Sequence, residues 1–254
     1  LRDEVNVDTL VAARKAAKSI VADELHEELV GAIAAARSEA PFEMTPSAVG
    51  RRAIVTLCLD YLLASSHDSA VSLAEDIYRS ADNMTLWAGA LRSVVSSELA
   101  SAAAARDWML ADFYTKGEKD ALVMDLWFSI QAAGAGSDAV DRVKALMSHP
   151  DYTLEVPNRM RSVLGGFAGQ NMAGFHAASG DGYALLADTV IKLDQFNPQM
   201  AARMLGPLTR WRKFDWNRQA LMRAALERIQ SQDSLSADVF EVVNKSLGAQ
   251  SAEA

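Results

Sequence analysis

The pair His26-Glu27, in the segment LHEELV, is the first place to look for catalytic chemistry. Zinc peptidases that carry His-Glu-x-x-His hold the metal with two imidazoles one helical turn apart, and the glutamate activates the metal-bound water. Four residues after His26 the sequence has Val30, which cannot bind a metal. No His or carboxylate stands at ligand spacing near the remaining histidines, which are His67, His149 and His176. The sequence therefore predicts no metal site in this chain, and His26 is predicted to be a partly exposed helix residue.

Nucleophilic catalysis and phosphate binding also lack their sequence patterns. Cys58 is the single cysteine and lies in the apolar segment IVTLCLDYLL, which predicts a buried thiol and not a reactive one. There is no Gly-x-Ser-x-Gly nucleophile elbow. The glycines of segments 134–136 and 180–182 lack the Gly-Lys-Ser/Thr ending of a phosphate loop, so both segments are predicted to be turns. Adjacent carboxylates such as Glu27 and Glu28 point apart on a helix and cannot form an acid–base pair.

Arginines and their polar neighbours are the remaining candidates. Asn158, Arg159 and Arg161 follow Pro157 on a predicted first helical turn. After Asn197-Pro198, a strong helix start, Gln199 and Arg203 lie one turn apart on one face. Seven basic residues against two acidic ones make the segment 198–228 locally positive: Arg203, Arg210, Arg212, Lys213, Arg218, Arg223 and Arg228. For Arg218, Arg223 and Arg228, a solvated helix face is the predicted setting.

Bulk properties exclude several classes of function. The chain of 254 residues has a net charge of -8 and few aromatic residues, which argues against nucleic-acid binding. No apolar run approaches the ~20 residues that span a bilayer. The charged start LRDEVNVDTL lacks the apolar segment of a signal peptide, so none is expected. The first residue is Leu and not Met, as in a piece of a longer protein.

Apolar residues recur at helical spacing along almost the whole chain, which predicts roughly a dozen helices joined by short turns. The predicted spans are 7–38 (one or two helices), 46–65, 69–78, 86–95, 99–115, 122–132, 138–147, a helix opening at 157, 182–193, a helix opening at 198, 216–229 and 237–247. This pattern predicts an all-α fold in which antiparallel helix pairs stack into a superhelical array, as in armadillo or HEAT proteins, although no exact repeat period is found.

Side chains of three residues are predicted to cap helix starts, namely Asn83, Asp120 and Ser236, and Asp215 is predicted to precede a long helix. Gly117 is predicted to close its helix in the left-handed conformation. The glycines between 165 and 182 are predicted to form a turn before the next helix. Residues 151–156 are predicted to be extended, and the tail 248–254 to be disordered.

Five segments carry a resemblance to a known family. They are DALVMDLWFSIQA, HPDYTLEVPNR, PNRMRSVLGGFAG, GDGY and FNPQMAARMLGPLTRWRKFDWNRQALMRAALERI, in this order along the chain. Together they resemble the C-terminal domain of bacterial aminopeptidase N, an alanyl aminopeptidase of the zinc-dependent gluzincin metallopeptidases. The likeness covers nearly the whole chain and is patchier before Ala40.

The resemblance implies that residues 1–254 form a single, non-catalytic, all-α superhelical domain of a cytoplasmic zinc hydrolase of peptide catabolism. The enzyme would remove N-terminal amino acids from peptides, with its zinc held by a separate thermolysin-like domain of the same polypeptide and no cofactor in this chain. The domain would close the catalytic chamber and control peptide access. The resemblance places five residues on the wall of the substrate channel: Asn158, Arg159, Arg161, Gln199 and Arg203. Whether Arg161 and Arg203 hold a peptide carboxylate or pair across a domain boundary stays open.

Two alternatives come from other classes. One is a free-standing helical-repeat scaffold that binds a protein or peptide in a concave groove. The other is a compact helical enzyme with its own metal, which would retain zinc on purification. A domain separated from its neighbour is also expected to expose an apolar docking face, which drives self-association of the isolated chain.

Overall fold

The computed structural model describes residues 4–38 and 40–248, and all regular structure in these ranges is helical apart from one isolated bridge. That bridge pairs Val5 with Phe214 in parallel. The predicted all-α fold is confirmed. Segment 151–156 is irregular and pairs with no strand within the described ranges. Of the tail predicted to be disordered, Gly248 ends the last helix, and residues 249–254 lie outside the described residues.

The chain divides into two compact units, Ala12–Gly136 and Leu1–Val11 with Ser137–Ala254. The helices that supply residues of the first unit are α1 (Val7–Glu24), α2 (His26–Ala36), α3 (Pro46–Leu62), α4 (Ser69–Ser80), α5 (Met84–Ser96), α6 (Ala102–Gly117) and α7 (Ala121–Ala133). Helix α5 is the centre of this unit, since it packs against α3, α4, α6 and α7. No described helix is long and apolar enough to cross a membrane.

Small residues allow the close packing of α5. Ala88, Ala90 and Ser93 are buried on this helix. A Cβ atom on Gly89 would lie 2.5 Å from Cγ2 of Thr56 on α3, closer than carbon atoms can approach. Glycine at 89 therefore sets the distance between α3 and α5.

The second unit is built around α11. Its helices are α8 (Ala139–Met147), α9 (Pro157–Gln170), α10 (Met172–Phe175), α11 (Asp181–Asp194), α12 (Pro198–Met204), a 3₁₀-helix (Leu208–Lys213), α13 (Trp216–Gln230) and α14 (Ala237–Gly248). Helix α11 packs against α8, α9, α10, α12 and α13. Its buried residues include Tyr183, Leu186 and Val190, which recur every three or four positions as expected for a helix facing the core.

All three predicted side-chain caps are confirmed, and Asp215 caps its helix in the same way. Each capping oxygen accepts a hydrogen bond from a backbone N–H of the first turn: Asn83 from Leu86, Asp120 from Leu122 and Val123, Asp215 from Arg218, and Ser236 from Val239. The cap at Asn197, which accepts from Met200, follows the same rule.

Two predictions about glycine are wrong. Gly117 is the last residue of α6 and has a negative φ, so it does not take the left-handed conformation. A Cβ there would lie 2.3 Å from Cγ1 of Val123, so packing and not backbone conformation requires the glycine. Gly165, Gly166 and Gly169 belong to α9 and do not form a turn, because the helix continues to Gln170.

Candidate functional site

The first turn of α9 holds Asn158 and Arg161 together at the protein surface. Pro157 opens the helix, where its missing N–H costs nothing. Arg161 Nη2 donates to Asn158 Oδ1, and Arg161 Nε donates to the Pro157 carbonyl oxygen at 3.3 Å. Both side chains are exposed, and Arg161 Nη1 has no partner within the described part of the chain. The arginine is thus folded back on its own turn, with one end of the guanidinium left to bind an acceptor.

Arg159 has a different setting from its neighbours. It is half-buried, and its Nη1 donates to the carbonyl oxygen of Asp151. This bond ties the irregular segment 151–156 to the start of α9. Arg159 therefore has a structural role within the chain that does not depend on a ligand.

Gln199 and Arg203 line a shallow surface hollow of about 430 Å³. Both are exposed on α12 and lie one turn apart, as predicted. Helix α14 supplies Asp238 and Glu241 to the same hollow, and these two carboxylates stand three residues apart on one helix face. Among residues 4–38 and 40–248, no hydrogen bond or ion pair engages the Arg203 side chain.

The hollow contains one cation, Arg203, and two anions, Asp238 and Glu241. Among the described residues, neither carboxylate lies within ion-pair distance of the guanidinium. A guanidinium offers a planar fork of donors that suits a carboxylate, and carboxylates accept from amino groups. The arrangement can therefore bind the charged groups of a peptide. Its lining also includes Ala202 and Val242, whose side chains add apolar contact.

The five residues predicted for the substrate channel do not form one cluster of contacts. Asn158 and Arg161 are hydrogen-bonded to each other, and Gln199 shares the hollow with Arg203. The helices that carry these two pairs, α9 and α12, both pack against α11. No hydrogen bond joins one pair to the other within the ranges that the structure describes.

The prediction that Arg218 lies on a solvated helix face is wrong, because this residue is only 3% exposed. Its Nε donates to the carbonyl oxygen of His176 at 2.7 Å, its Nη1 to Asp215 at 2.7 Å and its Nη2 to Asp8 at 2.8 Å. The prediction is right for Arg223 and Arg228, which are exposed on α13. These two arginines pair with Glu227 and Asp188.

Charge explains how Arg218 is tolerated in the interior. Burial alone would lower the pKa of its guanidinium, but the hydrogen bonds and charges of Asp215 and Asp8 outweigh burial and raise it. Burial would likewise raise the pKa of Asp215, yet hydrogen bonds from Arg218 bring it below its usual range. The spacing Asp215-x-x-Arg218 is the one signal in the sequence for this pair. No local sequence pattern predicts the contact between Arg218 and Asp8.

His176 and Tyr183 form a buried layer beside Arg218. Nδ1 of His176 lies 2.8 Å from the Tyr183 hydroxyl, and the imidazole stacks on Phe214 with ring centres 4.4 Å apart. Burial lowers the pKa of His176 to about 4, with the charge of Arg218 adding to the effect. Burial also raises the pKa of Tyr183, so its hydroxyl stays protonated and can donate to the neutral imidazole.

This layer gives the GDGY segment a structural role. Gly180 precedes α11 with a φ of 76°, a conformation that favours glycine. A Cβ on Gly182 would lie 2.4 Å from the carbonyl oxygen of Phe175, so α10 and α11 meet backbone to backbone. Segment 134–136 is irregular, in keeping with the predicted turn, but in segment 180–182 only Gly180 lies outside a helix, because α11 begins at Asp181.

The residues first considered for chemistry have ordinary settings. His26 is half-buried on α2, as predicted, with its ring 4.1 Å from that of His67. No group of three or more His, Cys, Asp or Glu could hold a metal ion in the described ranges. Cys58 is buried, as predicted, and burial raises the pKa of its thiol.

Comparisons with known proteins cover nearly the whole chain. Residues 1–248 match a family model described as a domain of unknown function (DUF3458_C) with ARM repeats. The aminopeptidase N of Haemophilus influenzae is 37% identical over 96% of this chain and 27% of its own length. That of Escherichia coli is 34% identical over 97% of this chain and 28% of its own, and that of Caulobacter vibrioides is 39% identical over 82% and 24%.

A solved structure agrees with these matches. The crystal structure of Legionella pneumophila aminopeptidase A in complex with aspartic acid superposes with a TM-score of 0.88 and 30% identity, over 98% of this chain and 29% of that one. The chain thus spans between 24% and 29% of the length of these proteins, and it matches the C-terminal part of the aminopeptidases N. The predicted resemblance and the predicted armadillo-like organisation are both confirmed.

Proposed function

Because this chain belongs to the ARM-repeat family described as DUF3458_C, we propose that it is the non-catalytic C-terminal domain of a zinc aminopeptidase. The whole enzyme removes N-terminal amino acids from peptides. Residues 1–254 act as one domain that closes the catalytic chamber and limits which peptides enter. The remainder of the polypeptide holds the zinc, which activates the attacking water when bound.

This proposal rests on how much of this chain, and how little of each relative, the sequence matches cover. Aminopeptidases N align with 96% and 97% of this chain, yet with only 27% and 28% of their own length. A chain that is similar throughout to one part of a larger enzyme is expected to do the work of that part. The cytoplasm is the compartment that the resemblance implies for the whole enzyme, and we propose it here.

Charge and hydrogen-bonding capacity suit Arg203 and Gln199 to bind a peptide. Arg203 is exposed in a hollow and has no ion-pair partner within the described residues, so its fork of donors is available to a carboxylate. Arg161 contributes in the same way through Nη1, while Asn158 keeps its guanidinium in place. Arg159 supports the start of α9 through its bond to Asp151. We propose that Arg203 and Arg161 hold the carboxylate end of a peptide while its amino end reaches the zinc.

Replacing Arg203 by Ala in the full-length enzyme tests this role. Loss of a charge-assisted hydrogen bond at an exposed site costs about 1–1.4 kcal/mol, so KM for longer peptides should rise roughly fivefold to tenfold. KM for aminoacyl substrates of dipeptide size should change little, because they do not reach Arg203. Steady-state kinetics on a series of peptides of increasing length measures both effects.

Arg223→Ala is the matched control, since Arg223 is another exposed arginine of this unit and pairs with Glu227. It should leave KM unchanged at every peptide length. An equal rise in KM for short and long substrates in the Arg203→Ala enzyme would reject contact with the peptide end. The free-standing scaffold makes a separate prediction: the protein isolated from its native cells would then have the mass of this chain alone.

A further inference from the structure

The outward face of α3 is apolar over more than two helical turns. Val49, Ile54 and Leu57 are 47%, 45% and 58% exposed. Gly50 and Ala53 lie between them and are also exposed. These five positions share one side of the helix, and none of them is charged or polar. Such a contiguous apolar face indicates an interaction surface, whereas single exposed apolar residues do not.

Gly50 supports the presence of an interaction surface, because no contact within the described chain requires a glycine at this position. A Cβ on Gly50 would meet no atom within 4 Å, whereas one on Gly89 would clash. Glycine inside a helix costs about 0.5–1 kcal/mol relative to alanine. Gly31 on α2, which packs along α3, has the same open surroundings. Both glycines therefore leave room on the outer surface for another polypeptide to approach closely.

The loop before α3 extends the apolar face. Phe42 is 50% exposed and Met44 is 75% exposed. Arg52 holds both residues: its guanidinium lies over the Phe42 ring at 4.9 Å, and its Nη2 is 3.8 Å from the Met44 sulfur. The side chains are thus fixed at the surface by a contact that does not bury them.

We propose that this face, formed by Phe42, Met44, Val49, Ala53, Ile54 and Leu57, docks against the remainder of the aminopeptidase polypeptide. The inference rests on the proposed function, because that function supplies the occupant. Most of each relative's length lies outside the match, and it precedes the match because the similar part is C-terminal. The face belongs to α3 and the loop before it, within the first 62 residues of the chain. An occupant with its own apolar surface matches these six residues, none of which is charged.

Oxidation of methionine measures whether the face is covered. The full-length enzyme and the 254-residue chain are treated with hydrogen peroxide, and oxidation of each methionine is followed by peptide mass spectrometry. We expect Met44 to be oxidised several-fold more slowly in the full-length enzyme than in the chain alone. Met84, on α5, is 39% exposed and is the internal reference, since it should react at the same rate in both.

Each outcome decides one question. Equal oxidation of Met44 in both proteins would overturn the docking surface while leaving the proposed function intact. Protection of Met44 that appears in the 254-residue chain and grows with its concentration would show that a second copy covers the face, and would also overturn the inference. If the protein in its native cells has the mass of this chain alone, the proposed function itself fails.

Substitutions give an independent measurement. Leu57→Lys should lower the thermal unfolding midpoint of the full-length enzyme and leave that of the 254-residue chain nearly unchanged, because Leu57 is exposed in the latter. Leu122→Lys is the matched control: Leu122 is 73% exposed on α7, outside the proposed face, and should be neutral in both. A Leu57→Lys effect of the same size in both proteins would contradict docking at this face.

Discussion

At the scale of single residues, Arg218 joins three parts of the chain that lie far apart in sequence. It bonds to Asp8, to the backbone of His176 and to Asp215, which also caps α13. Arg218 lies at helical spacing from Met222 and Ala225, on the buried face of α13, but its charge predicts solvation because charged residues are rarely buried. The burial of Arg218 depends on His176, which is 42 positions away in the sequence, and on Asp8, which is 210 positions away. No local sequence pattern includes either residue.

Replacing Arg218 by Met should strongly destabilise the chain. Removing one partner of a buried ion pair leaves the other unpaired at a cost of about 3–5 kcal/mol, and the exposure of Asp8 places the expected loss near the lower end. Arg223→Met is the control and should change the free energy of unfolding by less than about 0.5 kcal/mol. Urea unfolding of both variants measures the difference. Equal effects would show that Arg218 is no more important to the fold than a surface arginine.

The buried imidazole of His176 predicts a pH dependence of stability. Its pKa of about 4 in the folded chain lies below the unfolded value of 6.5. The unfolded chain therefore binds the proton first, so the stability from neutral His176 is complete above pH 6.5 and is lost as the pH falls toward 4. The loss amounts to about 3 kcal/mol at most. Asp215 acts below this window, because its pKa is held under its usual 3.8.

Unfolding midpoints in urea between pH 4 and 7 test this assignment. The wild-type midpoint should fall with decreasing pH, and His176→Gln should flatten that part of the curve because no buried imidazole remains to be protonated. Parallel curves for the wild type and His176→Gln would assign the pH dependence to other groups.

At the scale of elements, helix starts could be predicted from sequence, whereas the roles of glycines could not. A cap depends on a side chain and an N–H two or three residues away, so Asn83, Asp120 and Asp215 are recognisable locally. Gly117 and Gly89 are required by side chains of other helices, Val123 and Thr56. The short helix α10 and the 3₁₀-helix were not predicted, because segments of four and six residues are too short to show helical periodicity.

Two glycine-to-alanine substitutions should have opposite effects on this chain. Gly89→Ala places a methyl group against Thr56, whose β-branched side chain has little freedom to move, and should cost about 1–3 kcal/mol. Gly50→Ala meets open space on α3 and should stabilise by about 0.5–1 kcal/mol. Thermal unfolding of the two variants beside the wild type gives both values. A gain in stability for both would mean that α3 and α5 can move apart at no cost.

At the scale of the whole molecule, the all-α class and the armadillo-like organisation followed from helical spacing alone. The division at Gly136 coincides with the loop predicted at 134–136, but the sequence did not indicate two units. The role of Arg161 and Arg203 could not be predicted in the same way, because the peptide carboxylate that we propose they bind is not part of this chain. Local pattern places these side chains on helices and leaves their role to the resemblance.

The most direct test of the account is hydrolysis of an aminoacyl anilide by the purified 254-residue chain in the presence of zinc, beside the full-length enzyme. We expect turnover by the full-length enzyme and none by the chain, because in the proposed enzyme the residues that hold zinc and activate water belong to the remainder of the polypeptide. Turnover by the chain alone, at a rate proportional to its concentration and with contaminating peptidases excluded, would contradict it.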